Sequence, residues 1–129
     1  MADAPTTGKK KRILIVEDER PLAHALELKL GHEGFETLVC LSGAEGLDKA
    51  RNDSFDCILL DLIMPEVDGF SFLQEYRKKN EKTPVIILSN LGQEEDKAKA
   101  KTLGATDYFV KANTPILQIV ERVKSALAS

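Results

Sequence analysis

Five short apolar runs recur along the chain, at residues 13–16, 35–40, 57–60, 85–88 and 108–110, and the segments between them carry their apolar residues at helical spacing. That alternation predicts βα units building a parallel sheet with helices on both faces. The runs at 13, 57 and 85 are continuous rather than alternating, as strands buried on both sides should be. Punctuation places the helices. The first starts near Pro21, places Leu22, Ala25, Leu26 and Leu30 at helical spacing and stops at Gly34. The second opens on Ser42 and Glu45, an S-x-x-E capping box. The third covers about 70–79 and ends before Thr83-Pro84. The fourth, about 93–103, is mostly charged, with an Ala98/Ala100 stripe, so its grip on the sheet is expected to be weak. The last takes Thr114 as cap and Pro115 in its first turn, and turns Leu117, Val120, Val123 and Leu127 inward.

Length and composition narrow this picture. The 129 residues, 43% of them hydrophobic, fit one domain with an ordinary core. Cys40 and Cys57 fall on strands two and three, about 10 Å apart with strand one between them, too far for a disulfide. The N-terminus has no apolar segment of the signal-peptide kind, and no run approaches the ~20 residues that span a bilayer, so a cytoplasmic protein without membrane contact is expected. The formal charge of −3 is uneven: residues 1–12 carry +3, from Lys9, Lys10, Lys11 and Arg12 against Asp3, and the remainder −6. Residues 1–11 are therefore expected to form a flexible basic tail and residues 12–129 the folded domain. The acidic balance of that domain argues against direct nucleic-acid binding.

In a parallel sheet the strand C-termini share one edge, where ligands bind, so the residues just past each run carry the chemistry. They are Glu17-Asp18-Glu19 after the first run, Asp61 after the third, Ser89-Asn90 after the fourth and Lys111 after the fifth. A strand order of 2-1-3-4-5 brings Asp18 and Asp61 to adjacent strands. Two carboxylates about 5 Å apart repel by roughly 3 kcal/mol at an effective dielectric near 20, and call for a proton, a lysine or a cation. Hard oxygens with room for water suit Mg²⁺. A carboxylate nucleophile at Asp61, a divalent-metal site, a lysine at Lys111 and a hydroxyl at Ser89 make a phosphoryl-transfer constellation.

From residue 12 to residue 127 the chain resembles the response-regulator receiver domain of two-component signalling, of the CheY-like type. The resemblance rests on ILIVEDE, on CILLDLIMPEVDGF with Asp61, Met64-Pro65 and Gly69, on VIILSN with Ser89, and on GATDYFVK with Tyr108 and Lys111. It implies a flavodoxin-like (βα)5 fold and a switch, not a turnover enzyme. Asp61 would take a phosphoryl group from a phosphohistidine of a sensor kinase or phosphotransfer protein. Mg²⁺ would be held by Asp18, by Glu17 through water, by Asp61 and by the backbone carbonyl of Ile63. Lys111 and Ser89 would bond phosphoryl oxygens, and Tyr108 would turn inward with Ser89 and reshape the surface of the fourth helix, fifth strand and fifth helix. A downstream protein would bind there, and a phosphorylation-dependent dimer is allowed.

Three residues depart from that pattern. Ala112 follows Lys111 where the family has a proline in a cis peptide, which predicts either a trans bond with a rearranged 111–115 loop or a strained one. Asn90 replaces a small residue, and Glu17 replaces a shorter aspartate. The resemblance also implies that residues 63 and 91 flank the path of the hydrolytic water, and Ile63 and Leu91, both apolar, then imply slow self-dephosphorylation. The chain reads as a receiver without an output domain, or as one excised from a longer transcription factor. Two other classes share parts of the pattern. A flavodoxin-like FMN carrier needs a hydroxyl- and glycine-rich loop where Glu17-Asp18-Glu19 stand, and a haloacid-dehalogenase-like phosphatase needs a second acid that Asp61-Leu62-Ile63 lacks.

Overall fold

The structure is a computed structural model and describes residues 10–128. Most of the expected 1–11 tail therefore lies outside the described residues. Five strands, β1 (Arg12–Val16), β2 (Glu36–Cys40), β3 (Cys57–Leu60), β4 (Val85–Ser89) and β5 (Asp107–Val110), alternate with five helices. These are α1 (Arg20–His32), α2 (Gly43–Asn52), α3 (Gly69–Arg77), α4 (Glu94–Thr102) and α5 (Ile116–Ala128). All strand pairs are parallel, in the order β2-β1-β3-β4-β5. This is the flavodoxin-like arrangement the sequence predicts.

The two-residue period of the strands splits the core in two. Ile13, Ile15, Cys57, Leu59, Ile86 and Leu88 face Leu26 and Leu30 of α1 and Ile119, Val120 and Val123 of α5. Leu14, Val16, Ile58, Leu60 and Ile87 face Leu47, Phe72, Leu73 and Ala100 of α2, α3 and α4. Cys40 and Cys57 fall into opposite clusters, so the sheet itself lies between the two thiols, and both are free. Among the described residues no helix is long and apolar enough to cross a membrane.

The helix faces depart from the sequence reading at three places. Leu117 is 66% exposed, and Ile119 fills the inward position beside Val120 and Val123. Ala98 is exposed and Ala100 is the only buried residue of α4, because residues two apart on a helix point about 200° apart. Thr114 does not cap α5; its hydroxyl donates to the Val110 carbonyl at 2.8 Å. No peptide bond among the described residues is cis, and Lys111–Asn113 form a single 3₁₀ turn. The trans arrangement with a rebuilt loop is therefore the one adopted.

Two contacts hold the frame around the upper edge and its far end. A Cβ on Gly69 would lie 2.4 Å from the Asp61 carbonyl oxygen, so only glycine lets α3 start against the loop that follows β3. Arg77, at the end of α3, donates to the Gly104 carbonyl at 3.1 and 2.7 Å, to Thr83 at 2.8 Å and to Asn80 at 3.2 Å. One guanidinium thus ties α3, the entry to β4 and the α4–β5 turn together.

Candidate functional site

Parallel pairing puts the C-terminal ends of the strands along one edge, and register decides which side chains meet there. Val16 pairs with Leu60, and the Asp61 N–H donates to the Val16 carbonyl at 3.0 Å. Glu17 is tied to the other side, its N–H donating to the Cys40 carbonyl at 3.0 Å. Glu17 and Asp61 therefore stand level at the ends of β1 and β3, and their residues are only 2% and 4% exposed.

Lys111, the first residue after β5, reaches past β4 to both. Its ammonium lies 3.1 Å from Asp61 Oδ2, 3.0 Å from the Glu17 carboxylate and 2.6 Å from Glu19 Oε2. An ammonium has three N–H donors, and these three acids take them all. Burial pushes the Glu17 carboxyl up to about 7; the Glu19 N–H, 2.9 Å from Glu17 Oε2, and Lys111 oppose the rise, and the Asp61 charge adds to it. For Lys111, burial alone would lower the pKa. The hydrogen bonds to Glu19 and Glu17 and the charges of Asp61 and Glu17 outweigh it, so the pKa is raised and the lysine is a fixed cation at neutral pH.

Ser89 ends β4 and is completely buried. Its hydroxyl oxygen accepts the Leu91 N–H at 3.3 Å. Tyr108, packed against the α2–α3–α4 side of the core, donates its hydroxyl to the Leu91 carbonyl. Burial pushes that hydroxyl up to about 12, so it stays a donor at neutral pH. Both bonds end on Leu91, which links the hydroxyl at the sheet edge to the aromatic ring on β5.

The sequence reading is redistributed at one point. Asp18 is exposed and lines the cleft, and the acids gathered on Lys111 and Asp61 are Glu17 and Glu19. The reason is register: Glu17 is level with Asp61, and Asp18 is one residue farther along. Glu19 stands with the strand-end acids in the sequence but carries no individual assignment there, since nothing in the pattern of residues distinguishes it from an acid that serves the N-terminus of the next helix. It is the N-cap residue of α1, yet its side chain makes no capping hydrogen bond. Ile63 sits at the rim with its side chain outward, and its N–H donates to Asp61 Oδ1 at 3.3 Å.

Asp18, Glu19, Asp61, Ile63, Asn90 and Lys111 line a solvent-open cleft of ≈ 210 Å³. Carboxylate oxygens of Glu17, Glu19 and Asp61 lie within 4.8 Å of one another. One ammonium cannot neutralise these acids and Asp18 together, and every donor is a hard oxygen beside space for water. The residues present fit Mg²⁺.

A family model described as the response regulator receiver domain matches residues 13–124. The chain is 37% identical over 118 residues to the uncharacterized transcriptional regulatory protein YkoG of Bacillus subtilis, covering 92% of this chain and 51% of the relative. It is 38% identical over 116 residues to the response regulator ArlR of Staphylococcus saprophyticus, covering 90% and 52%. The chain thus spans about half the length of these curated relatives. Among solved structures, the receiver domain of the Francisella response regulator 1452 superposes with a TM-score of 0.85 at 33% identity, over 92% of this chain and 97% of that one. A CheY-like receiver domain protein from Methanospirillum hungatei gives 0.87 at 27% identity, over 92% and 94%.

Proposed function

The chain belongs to the response regulator receiver family, and from that premise we propose that it is a phosphorylation-controlled switch whose phosphoacceptor is Asp61. The observation that carries the reading is Asp61 itself: a buried carboxylate at the end of the central strand, 3.1 Å from the Lys111 ammonium and level with Glu17. Its donor would be a phosphohistidine on a sensor kinase or a phosphotransfer protein. An Asp61 carboxylate oxygen bonds to phosphorus as the P–N bond breaks, and the leaving imidazole keeps the electron pair and takes up a proton. Asp18, Asp61 and the Ile63 carbonyl would hold Mg²⁺, with Glu17 acting through water. The ion would supply charge neutralisation at the phosphoryl oxygens.

The chain's own residues do the rest. Lys111 gives one phosphoryl oxygen a charged donor, and the Ser89 hydroxyl turns from Leu91 to another. That turn changes the load on Leu91, where Tyr108 is also bonded, and so couples the site to the surface of α4, β5 and α5. A downstream protein or a second copy of the chain would read that surface. Two packings biased by one local charge are the ordinary form of such a switch. The chain acts as a regulatory phosphoacceptor and catalyses only its own phosphorylation and dephosphorylation, in the cytoplasm.

Incubation with acetyl phosphate and Mg²⁺ should add about 80 Da, the mass of one phosphoryl group, to the intact chain, and Asp61→Asn should abolish the gain. An unmodified chain at every Mg²⁺ concentration would defeat the reading. In the same samples the adduct should decay slowly, because the Ile63 and Leu91 side chains offer no polar hold on an attacking water. Ile63→Asn should speed the loss by up to about tenfold, the worth of one added hydrogen bond; an unchanged decay rate would remove that part of the account.

A further inference from the structure

Resting on the phosphoacceptor reading above, we propose that Glu19 is a positioning residue: it holds the Lys111 ammonium before phosphorylation and competes with the phosphoryl group for it. All three N–H donors of Lys111 are taken, by Asp61, Glu17 and Glu19. A phosphoryl oxygen can therefore gain Lys111 only if one carboxylate lets go.

The three acids differ in how firmly they are held. Asp61 and Glu17 are buried at strand ends, and each also accepts a backbone N–H, from Ile63 at 3.3 Å and from Glu19 at 2.9 Å. The Glu19 side chain is 55% exposed, and Lys111 is its one polar partner among the described residues. It makes the shortest of the three bonds, 2.6 Å, and has the easiest exit, because water can replace the lysine once it swings out. Glu19 is thus the carboxylate that yields. Until it does, its negative charge lowers the affinity of Lys111 for an incoming anion and sets a threshold for switching.

The side chain plays no part in capping α1. The helix begins with the Ala23 N–H on the Glu19 carbonyl at 2.9 Å, a backbone bond that substitution leaves in place. The test can therefore use the full chain with Glu19→Ala and Glu19→Gln. Beryllofluoride, a phosphoryl mimic with no group to transfer, is titrated by calorimetry at saturating Mg²⁺ and at two ionic strengths. Glu19→Ala should bind it about two- to fivefold more tightly than the wild type, the range of a half-exposed ion pair. Glu19→Gln, which keeps an acceptor without the charge, should fall between. The difference should shrink at about 0.5 M salt, where such a pair is screened.

Equal or weaker binding by Glu19→Ala, or a gain that salt does not diminish, would overturn the proposal and leave the phosphoacceptor reading standing. Beryllofluoride that binds neither the wild type nor the variants would overturn both.

Discussion

Glu17 shows how much a single residue's setting can matter. Its carboxyl has an ordinary value of 4.5 and is pushed up to about 7 by burial at the end of β1. A raised value means the folded chain holds a proton the unfolded chain releases. The associated stability is complete below pH 4.5 and is lost as pH rises through about 7, a span corresponding to roughly 3 kcal/mol. Glu17→Gln should therefore be more stable than the wild type at pH 8 without metal, and should lose the downward slope between pH 5 and pH 8; denaturant midpoints across that range check it. The identities of Glu17, Asp61, Ser89 and Lys111 were legible because each follows an apolar run in the sequence. What the sequence could not tell was which of three consecutive acids faces inward. That depends on the β1–β3 register, and a one-residue shift exchanges the inward and outward sides.

At the scale of elements, strands were easier to read than helix faces. The runs ending at Val16, Leu60 and Leu88 are apolar throughout, so no choice of phase was needed. In α5 the choice mattered: Ile116, Leu117, Ile119 and Val120 offer two overlapping apolar stripes, and the packing against α1 selects the one through Ile119 and leaves Leu117 in solvent. No pattern of apolar positions foretells a contact such as that of Arg77. Its guanidinium donates to three loop carbonyls, of Asn80, Thr83 and Gly104, with burial lowering its pKa and no salt bridge to a carboxylate among the described residues. Since α4 buries only Ala100, this clamp at its C-terminal turn is a main anchor of the helix. Arg77→Met should cost about 3 kcal/mol by orphaning carbonyls in a half-buried setting. Arg77→Lys should recover only part of it, because an ammonium cannot span the planar fork. The readouts are the urea midpoint and faster amide exchange in residues 94–104; unchanged exchange there would mean α4 is held elsewhere.

For the molecule as a whole, the sheet separates two jobs. Two apolar clusters, one on each face, hold the fold, and the polar groups that conflict with a dry core are gathered at one edge. The edge is consequently where the fold is least content: Glu17, Glu19 and Asp61 share a single ammonium, and Asp18 adds a fourth acid to the cleft. A dication that binds only this folded arrangement should relieve the repulsion and stabilise the whole chain by mass action. At a hundred times its dissociation constant the gain is about 2.7 kcal/mol, or about 10 °C in Tm for a domain of this size. Thermal unfolding at pH 7.5 should therefore shift upward with the logarithm of Mg²⁺ concentration and return on chelation. Asp61→Asn, which removes a central acid, should flatten the dependence. Below about pH 6 the gain should shrink in the wild type, because the metal must then displace the proton that burial keeps on Glu17. A Tm that ignores Mg²⁺ at pH 7.5 would show that the acids at this edge are balanced by Lys111 alone.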